Sequence, residues 1–134
     1  MTTLKHIDSW KEALAKDIAL GYFMKVSTWW GLSDHPGSET LIILKDGSYQ
    51  LHLDYAQNPP PGIDISDKNG KLDKEVMEKL EAVALLMTNN ESFSIYDMGF
   101  EVSIIRDGKR IMHNNVRDTY KKITDILGPV WKRS

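Results

Sequence analysis

The chain predicts an α+β fold, with helices packed on an antiparallel sheet of four to five strands. Three observations carry the prediction. Apolar residues recur at helical spacing in three separate segments. Asp46-Gly47 and Asp107-Gly108 each lie between apolar runs, as a β-hairpin requires. Helical segments and hairpins alternate along the chain. The order therefore reads α-β-β-α-β-β(-β)-α, and helices on one face of an antiparallel sheet is the natural packing.

The first helix starts at Asp8 or Ser9, with Glu12 completing a capping box from Ser9. Ile7, Trp10, Leu14, Ile18, Tyr22, Val26 and Trp29 continue at helical spacing to a stop near Trp30-Gly31. Gly21 interrupts the pattern, either at a close packing contact or at a break into helix plus strand. A breaker-rich loop follows, residues 31–38, then a strand over 39–45. Asp46-Gly47 predicts a type I′ turn. On the returning strand Tyr49, Leu51, Leu53 and Tyr55 share one face; Ser48, Gln50, His52 and Asp54 share the other.

Residues 56–71 form a long connection that three prolines should hold extended. Asp73 caps a second helix with Val76, Met77, Leu80, Val83, Ala84 and Met87 on its apolar side, ending at Asn89-Asn90. Asp97-Met98-Gly99 is a turn between two strands or a bulge in one. Phe100, Val102 and Ile104 point inward, and Asp107-Gly108 returns the chain through Lys109 to His113. Val116, Tyr120, Ile123 and Leu127 stripe a last helix, which Gly128-Pro129 stops. Val130 and Trp131 then fold back.

The two hairpins echo each other at a spacing of 61, with Ile43/Ile104, Asp46/Asp107, Gly47/Gly108 and His52/His113 identical. The chain is read as one domain over 1–134, with a possible duplicated α-β-β unit at 8–55 and 73–113 followed by the C-terminal helix. Hairpin chemistry explains the Asp-Gly identities without duplication, so both readings stand.

Composition bounds the function. The 134 residues hold 41% hydrophobic and 27% charged side chains and no cysteine. Thiol chemistry, disulfides and thiolate zinc sites are excluded, and a reducing cytoplasmic setting is expected. No apolar run approaches a membrane span, and no leader-like segment opens the chain. The net charge of −2 is uneven. Residues 54–105 carry four basic and ten acidic side chains, and residues 106–134 carry eight basic and three acidic. The basic end lacks interleaved aromatics and the pI is about 6.1, which disfavours nucleic acid.

No phosphate loop or serine elbow is present. Residues 64–75 fail as a calcium loop, because Lys68 takes the fifth position and glycine the seventh. No cofactor, metal or catalytic set is therefore expected. The one catalytic candidate is His52 with Asp54 two residues on, a His-x-Asp pair on one strand face that can poise a general base.

The stretch "WWGLSDHPGSETLIILKDGSYQLHLDY" shows a tryptophan pair, a breaker loop and a hairpin. In size, cysteine-free composition and helix–hairpin order, the chain resembles the small α+β immunity proteins of bacterial polymorphic-toxin and contact-dependent growth inhibition systems. That resemblance implies a cytoplasmic, non-catalytic protein that neutralises a cognate protein toxin, commonly a nuclease, by occluding its active site or substrate groove. It transfers no residue roles. From the residues themselves, Asp54, Asp64, Asp67, Asp73, Glu75 and Glu78 can mimic phosphate charge against a basic partner. Trp30 is a candidate interface anchor, since adjacent tryptophans cannot share one helix face. Two alternatives are a type III secretion chaperone and a small enzyme using His52 and Asp54.

Overall fold

Strand β1 (Tyr22–Trp30) lies at the centre of the sheet, where the helical spacing had placed the second half of a helix. The structure is a computed structural model and describes residues 12, 15–31, 34–57, 59–88, 90–91, 98–114 and 116–131. The expected helix start at Asp8 and Ser9, its apolar residues Ile7, Trp10 and Leu14, and the Asp97 turn lie outside them. So does the stretch 92–96 that held the optional extra strand.

Residues 15–19 are helical, and Gly21 ends them with φ +74. The helix therefore does not run to Trp30. Past Gly21, the run Tyr22–Trp30 is dense in aromatic and β-branched residues, which suit a pleated surface better than a helix. Tyr22, Val26 and Trp29 fit helical spacing only by coincidence.

Six strands pair antiparallel in the order β4-β3-β2-β1-β6-β7, with β2 (Gly37–Leu44), β3 (Ser48–Tyr55), β4 (Lys68–Lys71), β6 (Met98–Arg106) and β7 (Lys109–Asn114). A two-residue β5 (Asn90–Glu91) adds parallel to β7 at the far edge. The sheet thus has seven strands rather than four to five. β1, β4 and β5 are the unforeseen ones; β4 and β5 are short and polar.

The hairpin turns differ. Asp107 (φ 54) and Gly108 (φ 72) make the two-residue turn that positive φ at both sites defines. At the first hairpin only Gly47 is positive (φ 92), and the loop is three residues, Lys45 to Gly47. The expected type I′ turn is absent there. The Gly47 carbonyl is used instead to receive the Leu72 N–H at 2.9 Å, tying the hairpin to the chain just before the helix Lys74–Leu85.

Helices α1 (Lys74–Leu85) and α2 (Arg117–Leu127) cover one face of the sheet. Val26 sits between Leu41 and Val102, and Met24 between Ile43 and Ile104. Onto this floor α1 sets Met77, Leu80 and Ala84, and α2 sets Ile123 and Leu127. Each of the larger side chains contributes on the order of 1.5–3 kcal/mol by leaving water, and Ala84 less. Asp73 occupies the cap position of α1, though its side chain makes no capping bond. Gly128, with φ 53, ends α2 as expected. Trp131 folds back so that its indole N–H donates to the Tyr120 hydroxyl at 3.2 Å, while Tyr120 stacks on Phe100.

The C-terminal end of α1 has no basic residue of its own. Arg106 of β6 supplies the charge from across the layer. Its guanidinium donates to the carbonyls of Ala84, Leu85 and Met87 at 3.0, 3.2 and 3.0 Å. The Ala84 carbonyl also accepts the Met87 N–H at 3.1 Å, so Arg106 adds to a closing turn, and a cation is favoured at this end of the dipole. Arg106→Met should lower stability by about 1–2 kcal/mol, read as a shift in the urea midpoint; an unchanged midpoint would contradict the capping role. The first hairpin offers a second check. The Asp46 carboxylate accepts the Ser48 N–H at 2.9 Å, which holds its pKa below the usual carboxylate range. A depressed folded value stabilises above the unfolded pKa, and this contribution is lost as pH falls through the folded one. In an NMR titration of the native protein Asp46 should therefore titrate below an unperturbed aspartate.

Candidate functional site

The alternation of β3 divides its side chains as expected. Leu51 and Leu53 enter the core, while Gln50, His52 and Asp54 are exposed on the face away from the helices. Across this open face His52 neighbours Thr40, and Thr40 neighbours Ser27, with the two hydroxyls 3.4 Å apart.

The connection from β3 to β4 folds back over this polar row. Its prolines do not stay extended: the Ile63 N–H reaches the Pro60 carbonyl at 3.4 Å, with Gly62 at φ 81 inside the turn. Pro61-Gly62 is the pair such a turn favours, since proline presets φ and glycine accepts the positive value. The reversal brings Asp67 onto β3. Its Oδ1 accepts from His52 Nδ1 at 2.6 Å and its Oδ2 from Gln50 Nε2 at 3.0 Å. His52 is therefore paired with Asp67, fifteen residues away, and not with Asp54. Asp64 is fixed as well, its Oδ1 accepting the Ser66 N–H at 2.9 Å and the Ser66 hydroxyl at 2.6 Å. Both carboxylates remain exposed, next to Ile63 and Ile65 at 44% and 48%.

The other predicted site residues fall elsewhere. Asp73, Glu75 and Glu78 are exposed at the start of α1, in the helical layer, with Glu75 3.7 Å from Lys79. Lys68 and Lys71 of β4 lie in the chain between the two acidic groups. The six acids therefore do not form one strip: Asp54, Asp64 and Asp67 belong with the β3 side of the sheet, and the other three with α1. Trp30 is half-buried. Its indole N–H donates to the His35 carbonyl at 2.9 Å, and its ring meets Tyr55 edge-on at 6.0 Å. Gly37 lies beneath them, where a Cβ would come within 2.5 Å of the Asp54 carbonyl.

His113, the partner of His52 in the sequence echo, is buried. Nε2 donates to the Thr88 carbonyl, and Nδ1 is hydrogen-bonded to the Thr119 hydroxyl at 2.8 Å. It joins β7 to α2 and to the segment after α1. The two histidines thus have unlike surroundings, one structural and one exposed.

Among the described residues no three His, Asp or Glu side chains are placed to hold a metal ion, and no helix is long and apolar enough to cross a membrane. No model of a known protein family matches the chain, and no curated protein matches it either.

Asp67 is the residue that positions the loop. Asp67→Ala should lower backbone NMR order parameters over residues 63–67 while costing no more than about 1 kcal/mol of global stability, because the pair is solvent-exposed. Order parameters unchanged by the substitution would remove Asp67 from that role.

Proposed function

We propose that this chain is a non-catalytic protein-binding module, and in its sharpest form an immunity protein that binds and neutralises a cognate bacterial toxin, such as a nuclease with a basic groove. The observation that supports this reading is the loop at 59–67. Asp64 and Asp67 are held in place in the free protein yet stay exposed, and Ile63 and Ile65 flank Asp64 with much of their apolar surface in water. A group ordered before binding loses less entropy on association. Aliphatic anchors beside charges give the apolar centre and polar rim of a protein interface. Carboxylates so held steer a basic partner, and salt weakens the attraction.

The same pair supports a second reading. An imidazole with Nδ1 held by Asp67 leaves Nε2 free to act as a general base. Among the described residues no nucleophile is hydrogen-bonded to that second nitrogen, so the binding reading leads.

The test is retention of a folded protein from lysate of the source organism, followed by affinity measurement with that purified partner. Reversing Asp64 and Asp67 to lysine should weaken binding at least about tenfold. Reversing Asp73, Glu75 and Glu78, in the helical layer, should cost less. Cells producing the partner should survive only when this chain is co-produced. Unchanged affinity in the Asp64/Asp67 variant would remove the loop as the interface. An activity abolished by His52→Ala with partner binding intact would favour the enzyme.

A further inference from the structure

The helical residues 15–19 lie on the open face of the sheet, opposite α1 and α2, and the way they are held is unusual. Asp17 forms an ion pair with Arg110 of β7, both side chains about three-quarters buried. The Arg110 guanidinium in turn lies over the Tyr22 ring, 5.9 Å from its centre. Among the described residues of this segment apolar burial contributes little. Ile18 is 42% exposed, and Leu20 is 68% exposed at the rim of a groove of about 360 Å³ that includes Ile42 and Leu44.

Beneath the ion pair the packing carries a cost. The register shift at the start of β1 turns Tyr22 toward this face, beside Ser103. Both hydroxyls are buried against each other and neither has another partner among the described residues, so at most one of the two O–H groups finds an acceptor. A buried hydroxyl left unpaired opposes the packed state, and water would satisfy it on release. Gly21 (φ +74), with nothing within 4 Å of the position a Cβ would take, joins the helical turn to β1. It offers a pivot beyond which Lys45 N–H, bonded to the Gly21 carbonyl at 2.8 Å, anchors the chain.

We propose that residues 15–19 are a releasable strap, clamped over Tyr22 and Ser103 by the Asp17–Arg110 ion pair and free to lift about Gly21, uncovering that end of the open sheet face. The ion pair favours docking, and the incompletely paired Tyr22 and Ser103 hydroxyls oppose it. Salt screens a pair buried to this degree only weakly, so the side chains themselves and not ionic strength set the balance. A detached helical turn is marginal in water, so lifting is read as loss of its internal hydrogen bonds.

The experiment is native-state hydrogen exchange on the full chain, following the Leu20 and Gly21 amides, which are bonded to the Lys16 and Ile18 carbonyls at 3.0 and 3.1 Å. Asp17→Asn and Arg110→Gln should each speed their exchange roughly tenfold, without speeding the amides of β2 and β3. The exchanged pair, Asp17→Arg with Arg110→Asp, should restore part of the protection. Tyr22→Phe removes one incompletely paired hydroxyl and should slow exchange. Exchange of these two amides only through global unfolding in every variant would overturn the proposal. So would their complete lack of protection in the wild type, or a Tyr22→Phe variant that exchanges faster.

Discussion

Everything in this molecule is built outward from β1. A strand in the middle of a sheet must satisfy hydrogen bonds on both sides, and β1 does so with β2 and β6 over most of its length. Met24 and Val26 are fully buried, with core residues of β2 and β6 on either side. If residues 22–30 were helical, β2 and β6 would have no common neighbour, and the sheet would fall into two separate pieces, each a hairpin with one short polar outer strand. Such small pieces are marginal in water. The central strand turns them into one sheet wide enough to carry both helices.

The two faces of that sheet then behave differently. The covered face is apolar, and its polar groups are engaged: Arg106 caps α1, and His113 has both ring nitrogens bonded. The open face carries its order through charged and hydroxyl side chains, with His52 and Gln50 holding Asp67, and Arg110 holding Asp17. The exposed His52–Asp67 contact is individually modest and responds to salt, while the more buried Arg110–Asp17 pair is screened less. Segments held this way can move or exchange partners without cost to the core. The proposed partner loop and the proposed strap both lie where such contacts, and not apolar packing, do the holding.

Much of the covered face could be read directly from the residues. The alternation of Tyr49 to Tyr55, the stripe of α1 and the stop at Gly128-Pro129 depend on local chemistry that the chain states plainly. β1 was misread because Tyr22, Val26 and Trp29 suit a period of 3.6 as well as they suit strand burial, and the helical residues before Gly21 extend the same phase. β4 was missed for a different reason. Lys-Asn-Gly-Lys has no strand preference of its own, and pairs only because β3 offers it an edge. In the candidate site, the exposure of His52 was legible and its partner was not. Asp54 is the near carboxylate in sequence, but the Pro61-Gly62 reversal delivers Asp67, and no periodicity records a turn-mediated contact of that kind. Arg106 as a cap was equally hidden, since it acts across layers.

The claim on which the rest depends is the central position of β1. Long-range NOEs in the native protein test it most directly. The account predicts backbone contacts from Val26 to both Leu41 and Val102, with strand-like Cα shifts across residues 22–30. Sequential helical contacts three and four residues apart through the same stretch, with no contact to β2 or β6, would contradict it.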